Sequence, residues 1–290
     1  MDSLCCSIND EEKRMPDKNI LKRRGFLQAG VATITAAAVP VSAHAALKPK
    51  QPGETKVVCV MGDYSHNPIV YESELRSLFA PNKDWRIIFV KASRYFTPEF
   101  ISDADLLVTC RYAGRDSMAW SDEPLADSMS SGDMFWTDDQ VAAIIDNVKN
   151  RGMGFLALHC TVACQKEGIL SLLDVQRQRH EEVQPLWVRD LNQKHPITRG
   201  IKPFYINLDE QFGVLIRSAS TTTLFGTTAI HDKRERIGGW CLDQGKGRIV
   251  GLLPGHLSFA FRMPQYREIL WRAAYWAMHR EIPVFPKKNA

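Results

Sequence analysis

The chain has 290 residues, 44% hydrophobic and 24% charged, with 37 Lys and Arg against 33 Asp and Glu for a formal charge of +4. That is the composition of an ordinary globular protein, and the length allows one large domain or two small ones. The weak positive charge, with no basic run interleaved with aromatics, argues against nucleic acid as a partner.

The first 45 residues carry an export pattern. Arg23 and Arg24 are followed by Gly25, Phe26 and Leu27, then by an apolar stretch from Ala29 to Val41, and Ala43-His44-Ala45 fits a small-x-small cleavage site. The stretch is interrupted by Thr33, Thr35 and Pro40 and is too short for a spanning helix, which needs about 20 residues. Residues 1–45 therefore read as a twin-arginine (Tat-type) signal, and the mature protein is expected in the periplasm, free of the membrane once the signal is removed. Five cysteines then remain, Cys59, Cys110, Cys160, Cys164 and Cys241. An odd number argues against a full disulfide framework, and folding in the reducing cytoplasm before export keeps thiols free.

Residues 46–54 read as a polar linker, 55–280 as one α/β domain, and 281–290 as a tail. Lys56–Met61 is a short β-branched run ending at Gly62, a strand followed by a loop. Helical spacing follows over Tyr71–Phe79, a second strand surrounds Ile87–Val90, and a third covers Ala104–Cys110. The segment from Tyr112 to Trp136 is too long for a simple connector; a lid carrying Trp120 and Trp136 and an ordered surface excursion are both open readings. Thr137 and Gln140 then form a T-x-x-Q capping box ahead of Val141, Ile144, Ile145 and Val148, which recur at helical spacing until Gly152. Met153–Leu158 is the fourth strand. Nearly continuous apolar strands alternating with helices predict a mostly parallel sheet covered on both faces. The second half consists of shorter strand-like pieces, including a hairpin over Leu242–Arg248, and closes with a helix on which Tyr266, Ile269, Leu270, Ala273 and Trp276 share a face.

The histidines are placed where chemistry is expected. His66, His159, His180, His195, His231 and His256 all fall at strand ends or in loops, and the C-terminal ends of parallel strands converge on the ligand-binding edge of an open sheet. Imidazole there suits metal ligation or proton transfer, whereas a lone loop histidine is commonly just solvated. Asp209-Glu210 adds a carboxylate pair, one member to act as base or ligand and the other to orient a histidine. Neither an H-E-x-x-H motif nor a second Cys pair is present, so the standard zinc-protease and structural-zinc patterns are absent. Cys160 follows a strand, as a nucleophile elbow would, but its flanks, His159 and Thr161, are not the small residues that a strained turn favours. A packed thiol is the favoured reading of Cys160, and His159 is the better chemical candidate.

Taken in order, Gly154–Cys160, His180, "HPITRGI" (His195–Ile201), "DEQF" (Asp209–Phe212), "GGW" with Trp240, and "GKGRIVGLLPGH" (Gly245–His256) resemble the ThuA-like, trehalose-utilisation family over about residues 55–280. The resemblance implies a flavodoxin-like fold related to class I glutamine amidotransferases: a mostly parallel sheet with helices on both faces and an antiparallel C-terminal extension. It implies carbohydrate metabolism and not glutaminase activity. Phe212 stands where the family more usually has Tyr. The expected function is an exported enzyme isomerising or hydrolysing a small sugar or keto-disaccharide. His159, Glu210 and Asp209 are its catalytic candidates, and His66, His159, His180 and His256 are candidate ligands of one divalent metal, with no other cofactor. Trp240, Trp120 and His195 are the candidate substrate contacts. The partner is a small carbohydrate, and a homo-oligomer is compatible with the sequence. A non-catalytic sugar-binding protein using the same cleft and a Cys160-dependent hydrolase are the alternatives.

Overall fold

The structure is a computed structural model that describes residues 48–63, 65–91, 95–112 and 136–286. The proposed signal and Trp120 lie outside the described residues. No helix among those described is long and apolar enough to cross a membrane.

Strands β1 (Thr55–Met61), β2 (Trp85–Val90), β3 (Leu106–Cys110) and β4 (Gly154–Leu158) pair in parallel in the order β2-β1-β3-β4. All residues of β1, β3 and β4 are buried, which explains why they read as unbroken apolar runs: each strand is covered on both faces. Burying a Val or Leu in such a strand contributes about 1.5–3 kcal/mol, so the register of this half is set by its core. Helix α1 (Pro68–Phe79) follows β1, and Asn67 caps it by accepting from the Ile69 N–H at 3.0 Å. Helix α2 (Asp138–Asp146) has the predicted capping box: Thr137 Oγ1 accepts from the Gln140 N–H, and Gln140 Oε1 accepts from the Thr137 N–H. The helix continues through a π turn and stops at Gly152, whose φ is 91°.

After β4 come a short helix α3 (Glu167–Leu172) and strands β5 (Val175–Arg177), β6 (Gln184–Arg189), β7 (Phe204–Asp209), β8 (Val214–Ile216), β9 (Thr222–Ala229) and β10 (Glu235–Gln244). The predicted hairpin joins β10 to β11 (Gly247–Leu252), with Gln244 opposite Gly247. In chain order the antiparallel strands fall between β4 and β11, but in the sheet β11 pairs directly with β4 as a fifth parallel strand and the antiparallel strands lie beyond it. The full order is β2-β1-β3-β4-β11-β10-β9-β6-β7, and β5 and β8 form a separate ribbon. In β6 buried and half-buried residues alternate, the period of a sheet with one wetter face. Helices α4 (Ser258–Arg262) and α5 (Pro264–Ala277) close the chain. The fold is thus a mixed α/β fold of the flavodoxin-like kind, and the ends of β1, β4 and β11 all open onto one edge of the sheet.

Candidate functional site

Three strand ends and one edge strand deliver the site. His66 follows β1, His159 follows β4, His256 follows β11 and Glu210 follows β7. One donor atom from each of these residues lies within 4.8 Å of all the others.

Two of the three imidazoles are anchored from behind. His66 Nδ1 is 2.7 Å from Asp63 Oδ1, and Asp63 also accepts from the Ser65 and Tyr112 N–H groups. Burial pushes the Asp63 carboxyl up, but His66 and those amides prevail and hold it below the usual range. An ionised Asp63 fixes the proton on Nδ1 of His66 and leaves the Nε2 lone pair facing inward. His159 Nδ1 lies 2.8 Å from the Leu253 carbonyl oxygen; a carbonyl can only accept, so Nδ1 carries the proton and Nε2 faces the centre. The ring nitrogens His66 Nε2, His159 Nε2 and His256 Nδ1 are buried and have no hydrogen-bond partner among the described residues. Buried polar atoms rarely go unpaired. Three of them converging on one point mark a place built for something else.

His159 sits on a strained backbone, with φ of 41°, an uncommon left-handed conformation for a residue with a side chain. A sharp turn therefore does join β4 to the short 3-10 segment His159–Ala163. The residue at its apex is His159, one position before the thiol that the sequence pattern made the elbow candidate.

The site is poised electrically. Burial lowers the His159 pKa to about 4, against the pull of Glu210, and burial lowers that of His256 as well. Both rings are neutral at neutral pH and able to donate a lone pair. Burial would raise Glu210, but His159, His256 and His180 outweigh it and hold the carboxylate ionised. Glu210 Oε2 stands 3.5 Å from His159 Nε2 and 3.5 Å from His256 Nδ1.

Several expected site residues are placed differently. His180 is not in the donor group: its side chain is 43% exposed, with Nδ1 3.9 Å from Glu210 Oε2 and 3.3 Å from the Glu181 carbonyl, because it lies on the outer side of Phe212, whose ring separates it from His159. Asp209 is fully buried and turns away from the cluster; β7 ends there, so successive side chains point to opposite sides. His195 packs edge-on against Trp276 and sits 3.3 Å from Cys241 Sγ, with its other nitrogen accepting from the Ile197 N–H. Trp240 is buried, donating to the Leu173 carbonyl and covering Gly251, where a Cβ would come within 2.3 Å of the indole. It is a core residue, as is buried Trp136, and neither is open to a sugar. Cys160 is buried as well, 3.8 Å from Cys110 Sγ and 3.7 Å from Asp63 Oδ2. Burial and the neighbouring Cys110 raise its pKa well above that of a free thiol, the opposite of what activates a thiolate nucleophile. Sequence reasoning missed Asp63, whose signal is an acid three residues before a histidine in the "GDYSH" loop after β1.

The profile of the ThuA family, described as trehalose utilisation, matches residues 56–277. No curated protein matches the chain. A ThuA-like protein from Parabacteroides merdae superposes with a TM-score of 0.63 at 15% identity, over 81% of this chain and 94% of that one. One from Bacteroides uniformis gives 0.58 at 12%, over 79% and 93%. A cold-adapted β-galactosidase from Rahnella sp. R3 gives 0.50 at 13%, over 79% of this chain but 32% of that one. At these identities the likeness is one of fold.

Proposed function

The chain belongs to the ThuA, trehalose-utilisation family, and on that premise we propose that it is an exported enzyme acting on a small sugar or keto-disaccharide at the histidine cluster. The observation that carries this reading is the set of three buried, unpartnered imidazole nitrogens beside an ionised carboxylate. Imidazoles with their second nitrogen fixed by a carboxylate, as in His66, or by a main-chain carbonyl, as in His159, are what a divalent metal such as zinc requires of its ligands. His66, His159 and His256 would hold the ion, and three protein ligands leave a position for substrate. When bound, the ion supplies Lewis acidity toward a sugar carbonyl or hydroxyl oxygen.

The remaining steps belong to the chain itself. Glu210 is ionised and faces the same point, so it is placed to take a proton from the substrate. In an isomerisation Glu210 would return a proton to the neighbouring carbon, and His180, 3.9 Å from Glu210 and open to solvent, would exchange that proton with water. Asp63 keeps His66 in the tautomer that offers Nε2. The buried, protonated Cys160 takes no part as a nucleophile. A screen of keto sugars and disaccharides with the metal-loaded protein tests the reading. Turnover that is lost in Glu210→Gln supports it; sugar binding without turnover would make the protein a binding protein that uses the same cleft.

A further inference from the structure

The turn that carries His256 is held from several sides. Leu253 accepts from His159 Nδ1 at 2.8 Å. The Pro254 carbonyl accepts from the Tyr266 hydroxyl at 2.5 Å, and burial raises the Tyr266 pKa, keeping that hydroxyl protonated as a donor. The next two amides both turn to one carboxylate: the Gly255 N–H donates to Asp209 Oδ2 and the His256 N–H to Asp209 Oδ1, each at 2.8 Å. Oδ1 also accepts from the Glu210 N–H at 2.8 Å. Gly255 makes this possible, with φ of 143° and the Phe261 ring 3.2 Å from where its own Cβ would stand.

Asp209 is fully buried, and no cation is paired with it among the described residues. Its oxygens are engaged by main-chain amides of two segments 46 residues apart. One segment carries a proposed metal ligand and the other the proposed base. We propose that Asp209 is a positioning residue, a main-chain clamp that sets His256 and Glu210 in register with each other and takes no direct part in the chemistry. The inference rests on the functional reading above for what is being positioned; the clamp itself rests on the three hydrogen bonds. A neutral amide cannot reproduce it. In Asp209→Asn one oxygen can still serve His256 and Glu210, but the amide nitrogen then meets the Gly255 N–H, donor against donor.

The test uses the full chain, with cobalt(II) as a visible probe of the cluster and hydrogen exchange as a probe of the amides. In Asp209→Asn the Gly255 and His256 amides exchange faster than in the wild type. Cobalt(II) binds about 10–100-fold more weakly, the range found when a group supporting a ligand is lost, with an altered visible spectrum. Val188→Ala, a core truncation in β6, serves as a control of lowered stability and leaves both readouts unchanged. If Asp209→Asn does not fold, Gly255→Ala perturbs the same bonds from the donor side, with the same readouts expected. Unchanged exchange and unchanged cobalt affinity in a folded variant would overturn the clamp, as would an equal change in Val188→Ala. If the wild type itself takes up no cobalt, the metal reading fails and the clamp is judged on amide exchange alone: faster exchange sustains it and unchanged exchange removes it.

Discussion

Two histidine environments in this molecule use the same side chain to opposite ends. At His195 both ring nitrogens are occupied, one by the Ile197 amide and the other by Cys241, and the ring packs against Trp276. At the sheet edge, His66 and His159 each spend one nitrogen on an anchor and leave the other unpartnered, aimed at a shared centre. A satisfied ring contributes to the fold. A ring satisfied on one side only costs desolvation that the fold alone does not repay, and two such rings meeting the unpartnered Nδ1 of His256 at one point imply a ligand. Convergence of unspent lone pairs, and not the presence of histidine, separates a site from a packed core.

That contrast is broken most sharply by changing the acid–base group. Glu210→Gln should lower turnover of the sugar substrate by about 10²–10⁴-fold, the usual contribution of a positioned base, while metal affinity stays within about tenfold; steady-state kinetics with parallel calorimetry separate the two. Next in size is the ligand itself. His159→Ala should weaken zinc binding by more than about a hundredfold, beyond the effect of losing a supporting group, whereas His195→Asn should leave it unchanged in the same titration. Equal losses in both variants would erase the distinction between the two environments.

A third prediction concerns pH. In the folded chain burial holds the His159 pKa near 4, below the ordinary 6.5. Below pH 6.5 the unfolded chain takes up a proton that the folded chain refuses, so this contribution is complete above about 6.5 and is lost as the pH falls to 4. Asp209 acts with the opposite sign: burial raises its pKa to about 7 against its three amide donors, so acidification favours the folded state there. The difference in unfolding free energy between metal-free wild type and His159→Gln cancels the Asp209 contribution. That difference should shrink by up to roughly 3 kcal/mol between pH 6.5 and 4, as followed by urea denaturation; a difference that grows on acidification would contradict the assignment. The smallest effect belongs to the packed ring. His195→Ala should cost about 1 kcal/mol through its hydrogen bonds, or a few degrees in melting temperature for a chain of this size.

Much of the frame was legible because burial on both faces writes itself into sequence as unbroken apolar runs, as in β1, β3 and β4. The rule that ligands sit beyond the C-terminal ends of parallel strands draws attention to six histidines, four of which, His66, His159, His180 and His256, are the metal candidates; three of those four share the donor group. Loop geometry was not legible. Nothing in the spacing of His180 or His195 tells which side of Phe212 or which face of the sheet they reach. The pair Asp209-Glu210 resembles a surface pair in sequence, yet the end of β7 sends one carboxylate into the interior and the other into the site. Trp240 was ambiguous because an aromatic residue suits both a sugar and a core; its indole N–H bonded to Leu173 and its contact with Gly251 settle it as core.

The most direct test of the central claim is the metal content of the full chain, purified from a host that exports it and measured by mass spectrometry beside His159→Ala. A metal centre held by His66, His159 and His256 requires about one divalent ion per wild-type chain and its loss in the variant. A wild-type chain that carries no ion and takes up none on titration with zinc, cobalt or manganese would contradict it, as would an ion retained at full occupancy in His159→Ala.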